Sequence, residues 1–127
     1  MDEKAFRFHI QTGGSKKFIA AGLNIRGKEE FEVAKNELTS ANIEFADFSD
    51  ELIAARCVEN GITLKDPAGN TLEISYGGAD ADESFLSPQD IKGFITKGLG
   101  FGHVVFAAPD LEVAHSFYID TLGFGDS

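Results

Sequence analysis

Three histidines, one cysteine and 21 acidic side chains are the groups with which this chain could do chemistry. His103 is the best placed of them. It lies in Gly98-Leu-Gly-Phe-Gly-His103-Val-Val-Phe-Ala-Ala-Pro-Asp110, at the start of an apolar stretch patterned as a strand. An imidazole on a sheet face is a natural first ligand for a divalent metal, but such a site needs at least two more ligands. The chain ends at Ser127, so the other ligands of a His103 site are expected beyond it.

The remaining candidates carry less. His9 stands beside Arg7 and Gln11 on an alternating stretch and reads as a solvated edge residue. His115 falls one residue off the apolar face of a helix, and neither histidine has a spacing that pairs it with His103. Cys57 has no neighbouring His or Lys to favour its thiolate, so it reads as a small buried hydrophobe. The glycine pairs beginning at Gly13 and Gly77 lack the strand-to-helix context of a phosphate loop. No Ser-His-Asp or Cys-His arrangement can be assembled, and no catalytic residue is assigned.

The elements that must position His103 follow from periodicity. Ala5 to Ile10 alternates and predicts a short strand, and Phe18 to Ile25 a second. Lys28 to Ala41 is the clearest helix, with Phe31, Ala34, Leu38 and Ala41 on one face and Glu29, Glu30 and Glu32 near its N-terminus. Asn42 reads as its stop and Ile43 to Phe45 as an extended piece. Ser49 can cap a brief helix over Asp50 to Ala54. Arg56 to Val58 and Ile62 to Leu64 predict strands around a turn at Glu59 to Gly61. Asp66-Pro-Ala-Gly-Asn70 predicts another turn, closed by a strand over Thr71 to Tyr76. After the His103 strand, Asp110 caps a helix over Leu111 to Leu122, ended by Gly123.

Residues 77–97 break the composition. They are polar and acidic, with few apolar anchors, and predict an inter-module linker. The stretch before them reads strand, helix, three strands. The stretch after them begins the same way, and Phe6 to Ile10 would close an earlier copy. A repeated βαβββ module, entered and left in its middle, accounts for all three pieces.

Composition bounds the rest. A chain of 127 residues with 43% hydrophobic and 25% charged content can bury one core. A net charge of −10 argues against nucleic acid and anionic membranes, which would repel it. A single cysteine allows no internal disulfide, and no apolar run reaches the ~20 residues a membrane span needs. No secretory signal is visible, and a cytoplasmic setting is expected.

Three segments carry a resemblance. Asp66-Pro-Ala-Gly-Asn-Thr-Leu-Glu-Ile-Ser-Tyr-Gly77, Gly98-Leu-Gly-Phe-Gly-His103 and Ala114-His-Ser-Phe-Tyr-Ile-Asp-Thr-Leu-Gly-Phe124 resemble the two-domain extradiol ring-cleavage dioxygenases of the vicinal oxygen chelate superfamily, nearest the biphenyl-2,3-diol 1,2-dioxygenase type. The resemblance implies an α+β fold of βαβββ modules with a curved mixed sheet. It implies that residues 1–78 are the second half of a metal-free N-terminal domain, 79–97 a linker, and 98–127 the first strand and helix of the catalytic domain. It further implies Fe(II) held by two His and one Glu, with an aromatic diol and O₂ as small-molecule partners, and a homo-oligomer. His103 matches the first iron ligand, and Val105, two residues along the same strand face, would line the substrate pocket.

In a catalytic module of that superfamily a Glu on the last strand binds the metal, and Glu73 lies on the analogous strand. The facing strand carries no His, with Ala20 about where one would stand, so Glu73 is not expected to be a ligand. On this reading the chain alone is not expected to catalyse ring cleavage. The competing readings are a ligand-sequestering protein of the same superfamily, completed by a swapped dimer, and a metal-dependent glyoxalase or epimerase type.

Overall fold

A computed structural model of the chain describes residues 3–13, 17–91, 95 and 103–125. Its centre is a βαβββ unit: β1 (Ala21–Asn24), α1 (Lys28–Ser40), β2 (Phe45–Asp47), α2 (Asp50–Arg56), β3 (Asn60–Lys65) and β4 (Thr71–Tyr76). The sheet is mixed, in the order β1-β4-β3-β2. β1 runs parallel to β4, placing Gly22 beside Glu73, whereas β4–β3 and β3–β2 are antiparallel. α3 (Leu111–Ser116) follows, continuing into a π-helical turn over Phe117–Thr121.

Alternation in β4 divides the sheet into two faces. Leu72, Ile74 and Tyr76 are buried against α1, whose Phe31 ring lies 5.0 Å from that of Tyr76. Phe31, Leu38, Ile62 and Leu72 are the largest fully buried side chains, each contributing about 1.5–3 kcal/mol through burial. Phe117 joins the same cluster, with Tyr118 and Leu122 packed on it. The helix after residue 103 therefore lies on the same core as α1. The opposite face of β4, bearing Glu73 and Ser75, looks into a cleft covered by residues near the N-terminus.

Helix ends account for much of the local agreement with the sequence. Gly27 offers α1 no side-chain cap, so Glu29 and Glu30 in the first turn supply the favourable charge. At its other end Asn42 takes a φ of 56°, and Ile43 N–H reaches back to the Leu38 carbonyl at 2.9 Å. Ser49 and Asp110 both cap as expected, their side-chain oxygens accepting from Leu52 N–H and Val113 N–H. Gly123 has the positive φ of a residue just past a helix.

Several expectations are corrected. Arg56 to Val58 is not a strand: Arg56 ends α2, and Cys57 follows at φ 53° in the left-handed region. Val58 N–H then bonds the Ile53 carbonyl, so a cysteine performs a task that glycine usually advertises. The predicted turn at Glu59 to Gly61 is lost accordingly, because β3 already begins at Asn60. β1 is shorter than Phe18 to Ile25, and β2 begins at Phe45 where the predicted extension ended.

Ala5 to Ile10 forms no strand. The nearby backbone pairing is a single bridge between Lys4 and Asp80, with Ala5 N–H on the Ala79 carbonyl and Ala81 N–H on that of Glu3. The stretch after His103 is likewise no strand, because it forms no ladder with another strand among the described residues. Residues 98–102 of the Gly-Leu-Gly segment, and 92–94 and 96–97 of the predicted linker, lie outside the described residues.

Candidate functional site

Two places bear on the chemistry expected of this chain: the segment that carries His103 and the cleft above Glu73. His103 is exposed, and so is Val105, at 91%. Phe106 points the other way. It is half-buried against the core, its ring 5.5 Å from that of Phe18 and 6.3 Å from that of Tyr118. His103, Val104 and Val105 are all exposed, and Val104 borders the cleft.

The cleft, of about 600 Å³, lies over the Glu73 face of the sheet. Phe6, Phe8, Phe18 and Leu23 supply apolar wall, and Arg56, Glu73 and Ser75 supply polar floor. The Arg56 guanidinium binds Glu73 in a two-pronged fashion, Nε to Oε2 at 2.7 Å and Nη2 to Oε1 at 2.9 Å. The Phe6 ring lies 5.1 Å from the guanidinium carbon on its other side. Glu73 hydrogen-bonding holds the Arg56 charge more firmly than usual, outweighing the opposing effect of burial. Both carboxylate oxygens of Glu73 are engaged by a cation, which leaves it badly disposed to hold a second one. Gly22, and not Ala20, is the β1 residue directly beside Glu73. Neither supplies an imidazole.

His9 lines the cleft and is exposed, and His115 lies exposed on α3. Among the described residues no three His, Cys, Asp or Glu side chains come together as a metal site. His103 contributes one imidazole. The described part of the chain does not fit iron by itself, since a facial site needs three protein ligands.

Two functional contacts escaped the sequence reading. The Arg56–Glu73 pair was hidden because Arg56 was placed on a strand; an acidic residue on an inward strand face was the signal that a cation must sit nearby. The second is Asp66. Its Oδ1 accepts from Ala68 N–H and Asn70 N–H at 2.9 and 2.7 Å, and its Oδ2 accepts from Asn70 Nδ2 at 2.8 Å and from the Tyr118 hydroxyl at 2.9 Å. Burial pushes the Asp66 carboxyl up, but the hydrogen bonds from Asn70, Tyr118 and Ala68 prevail and hold it below the ordinary value. The Tyr118 hydroxyl is pushed well above its ordinary range, by burial first and by Asp66 second.

No family model matches the chain. It is 35% identical over 124 residues to a biphenyl-2,3-diol 1,2-dioxygenase of Pseudomonas sp. strain KKS102, covering 97% of this chain and 42% of that protein. It is 34% identical over 124 residues to an iron-dependent extradiol dioxygenase of Rhodococcus jostii, covering 98% of this chain and 41% of the relative. Among solved structures, a catechol 2,3-dioxygenase superposes with a TM-score of 0.78 at 35% identity, over 87% of this chain and 39% of that one. The chain is a relative of the extradiol dioxygenases. Its βαβββ unit has the vicinal oxygen chelate fold of those enzymes. It spans about two fifths of the length of the extradiol dioxygenases it matches.

Proposed function

We propose that this chain is part of an Fe(II)-dependent extradiol dioxygenase that opens the ring of a biaryl or polycyclic catechol with O₂. On this reading residues 1–78 belong to a metal-free N-terminal domain, 79–97 to a linker, and 98–127 to the opening of the catalytic domain. His103 is one of three protein ligands to iron, and Val105 lines the diol pocket beside it.

The observation that carries this reading is the contrast between the two candidate ligands. Glu73 is gripped on both oxygens by Arg56, whereas His103 and Val105 are exposed. The similarity to a biphenyl-2,3-diol 1,2-dioxygenase and to an iron-dependent extradiol dioxygenase supports the substrate class and the metal. Bound iron would supply adjacent open positions at which a diol and O₂ meet. The chain's own contribution is to offer one imidazole and to set an apolar side chain next to it.

The partners proposed are an aromatic diol, O₂ and further copies of the same protein. The outer edges of β1 and β2, which end the described sheet, support assembly through added strands. Among the described residues no helix is long and apolar enough to cross a membrane. A reducing, cytoplasmic setting fits the single free thiol at Cys57, and the net charge of −10 disfavours nucleic acid.

The test is to load the protein that carries this chain with Fe(II) under anaerobic conditions, then add 2,3-dihydroxybiphenyl and O₂. A yellow ring-cleavage product with one O₂ consumed per diol is the expected result. Iron uptake without any O₂-dependent turnover of biaryl or monocyclic diols would overturn the proposal.

A further inference from the structure

His103 sits on a segment without a sheet ladder, yet that segment is tied down at Phe106. Phe18 meets the Phe106 ring edge-on at 5.5 Å, and Tyr118 stacks on it and links it to the hairpin. Tyr118, on the π-helical turn after α3, sets its ring 6.3 Å from that of Phe106 with the planes only 12° apart. Its hydroxyl donates at 2.9 Å to Asp66 in the turn between β3 and β4, 52 residues away. Phe117 and Phe124 meet the Tyr118 ring edge-on at 5.2 and 5.8 Å, so the ring has little freedom to swing.

Asp66 divides its two oxygens between separate tasks. Oδ1 holds the hairpin turn through the Ala68 and Asn70 amides, while Oδ2 takes the Asn70 side chain and the Tyr118 hydroxyl. Asp66 is only 6% exposed, so losing the hydroxyl would leave its carboxylate short of one donor. The π-helical winding places Tyr118 at this turn. The Phe124 amide reaches the Tyr118 carbonyl at 2.9 Å, a longer step back than an α-helical bond makes.

We propose that Tyr118 is a positioning residue: its hydroxyl on Asp66 and its ring on Phe106 fix the His103 segment to the rigid β3–β4 hairpin. The position of His103 relative to the module is then set by a contact between the hairpin and the helix. The part His103 plays as an iron ligand rests on the function proposed above. The tether itself rests on the contacts alone.

The experiment is ¹⁵N relaxation on the metal-free 127-residue chain, unsubstituted and as Tyr118→Phe and Tyr118→Leu. In the unsubstituted chain the amides of 104–106 have order parameters near the rigid value of about 0.85, matching 60–65 and 71–76. Tyr118→Phe, which keeps the ring, lowers them part of the way. Tyr118→Leu drops them below about 0.6, while the strands stay rigid. Order parameters at 104–106 that do not move in either variant overturn the proposal, and so does equal loosening of β3 and β4. Because no metal is present, failure of the iron reading would appear separately, as absent iron uptake by the protein that carries this chain while the tether behaves as described.

Discussion

Arg56 and Glu73 face each other across the floor of the cleft with two parallel hydrogen bonds, and each side chain is only 12% exposed. Such a pair costs desolvation, and its retention depends on geometry good enough to offset that cost. Here the forked guanidinium matches both carboxylate oxygens, and Phe6 covers the outer side. The consequence for function is direct. In this βαβββ module the last-strand carboxylate is neutralised by an internal cation.

Breaking this pair on one side should be expensive. Arg56→Met leaves Glu73 largely buried without its cation and is expected to lower unfolding stability by about 3 kcal/mol. The double variant Arg56→Met/Glu73→Met should recover most of that loss, because no stranded charge remains. Urea denaturation of the three proteins checks both statements.

The sheet depends on a close approach at Gly61. A Cβ built there would run into the ring of Phe48, which is itself buried. Gly61→Ala is therefore expected to destabilise by about 1–3 kcal/mol through overpacking. Adding Phe48→Leu to it should recover part of the deficit, and thermal unfolding of the single and double variants would show whether it does.

The Asp66–Tyr118 bond predicts a stability dome with two identifiable limbs. Asp66 titrates below its ordinary value of 3.8 in the folded chain, so its contribution is complete above that pH and is lost as the pH falls further. Tyr118 titrates above its ordinary value of 10.0, so its contribution is complete below pH 10 and is lost as the pH rises beyond it. Tyr118→Phe should flatten the alkaline limb and Asp66→Asn the acid one. Melting temperatures across the pH range distinguish them.

Asp110 should matter to the helix it caps. Its side-chain oxygen accepts from Val113 N–H at 3.1 Å, and Asp110→Ala is expected to cost about 1 kcal/mol. Asp110→Asn should cost much less, and denaturant titration can resolve the difference.

The βαβββ order was legible because its period-2 and helical patterns are strong where the core is buried, as at Leu72, Ile74, Phe31 and Leu38. The helix ends at Asn42 and Gly123 were legible because both residue types tolerate positive φ. The end of α2 was not, since Cys57 adopts that conformation without the usual residue type. The strands predicted at Ala5 to Ile10 and after His103 have the right alternation, but alternation states only that a segment could pair. Among the described residues no ladder takes up either one. Of the candidate site, His103 and Val105 lie on a segment that forms no ladder, so the strand face expected of them from spacing has no counterpart among the described residues. The Arg56 grip on Glu73 and the Tyr118 link to Asp66 join residues 17 and 52 positions apart, and no local pattern encodes such contacts.

The central claim is that iron is bound through His103 and not through Glu73. The measurement that tests it most directly is the iron content of the protein carrying this chain, compared with its His103→Ala and Glu73→Gln variants after identical anaerobic loading. The prediction is about one iron per chain in the unsubstituted protein and in Glu73→Gln, and loss of most of it in His103→Ala. Iron retained by folded His103→Ala, or lost from folded Glu73→Gln, would contradict it.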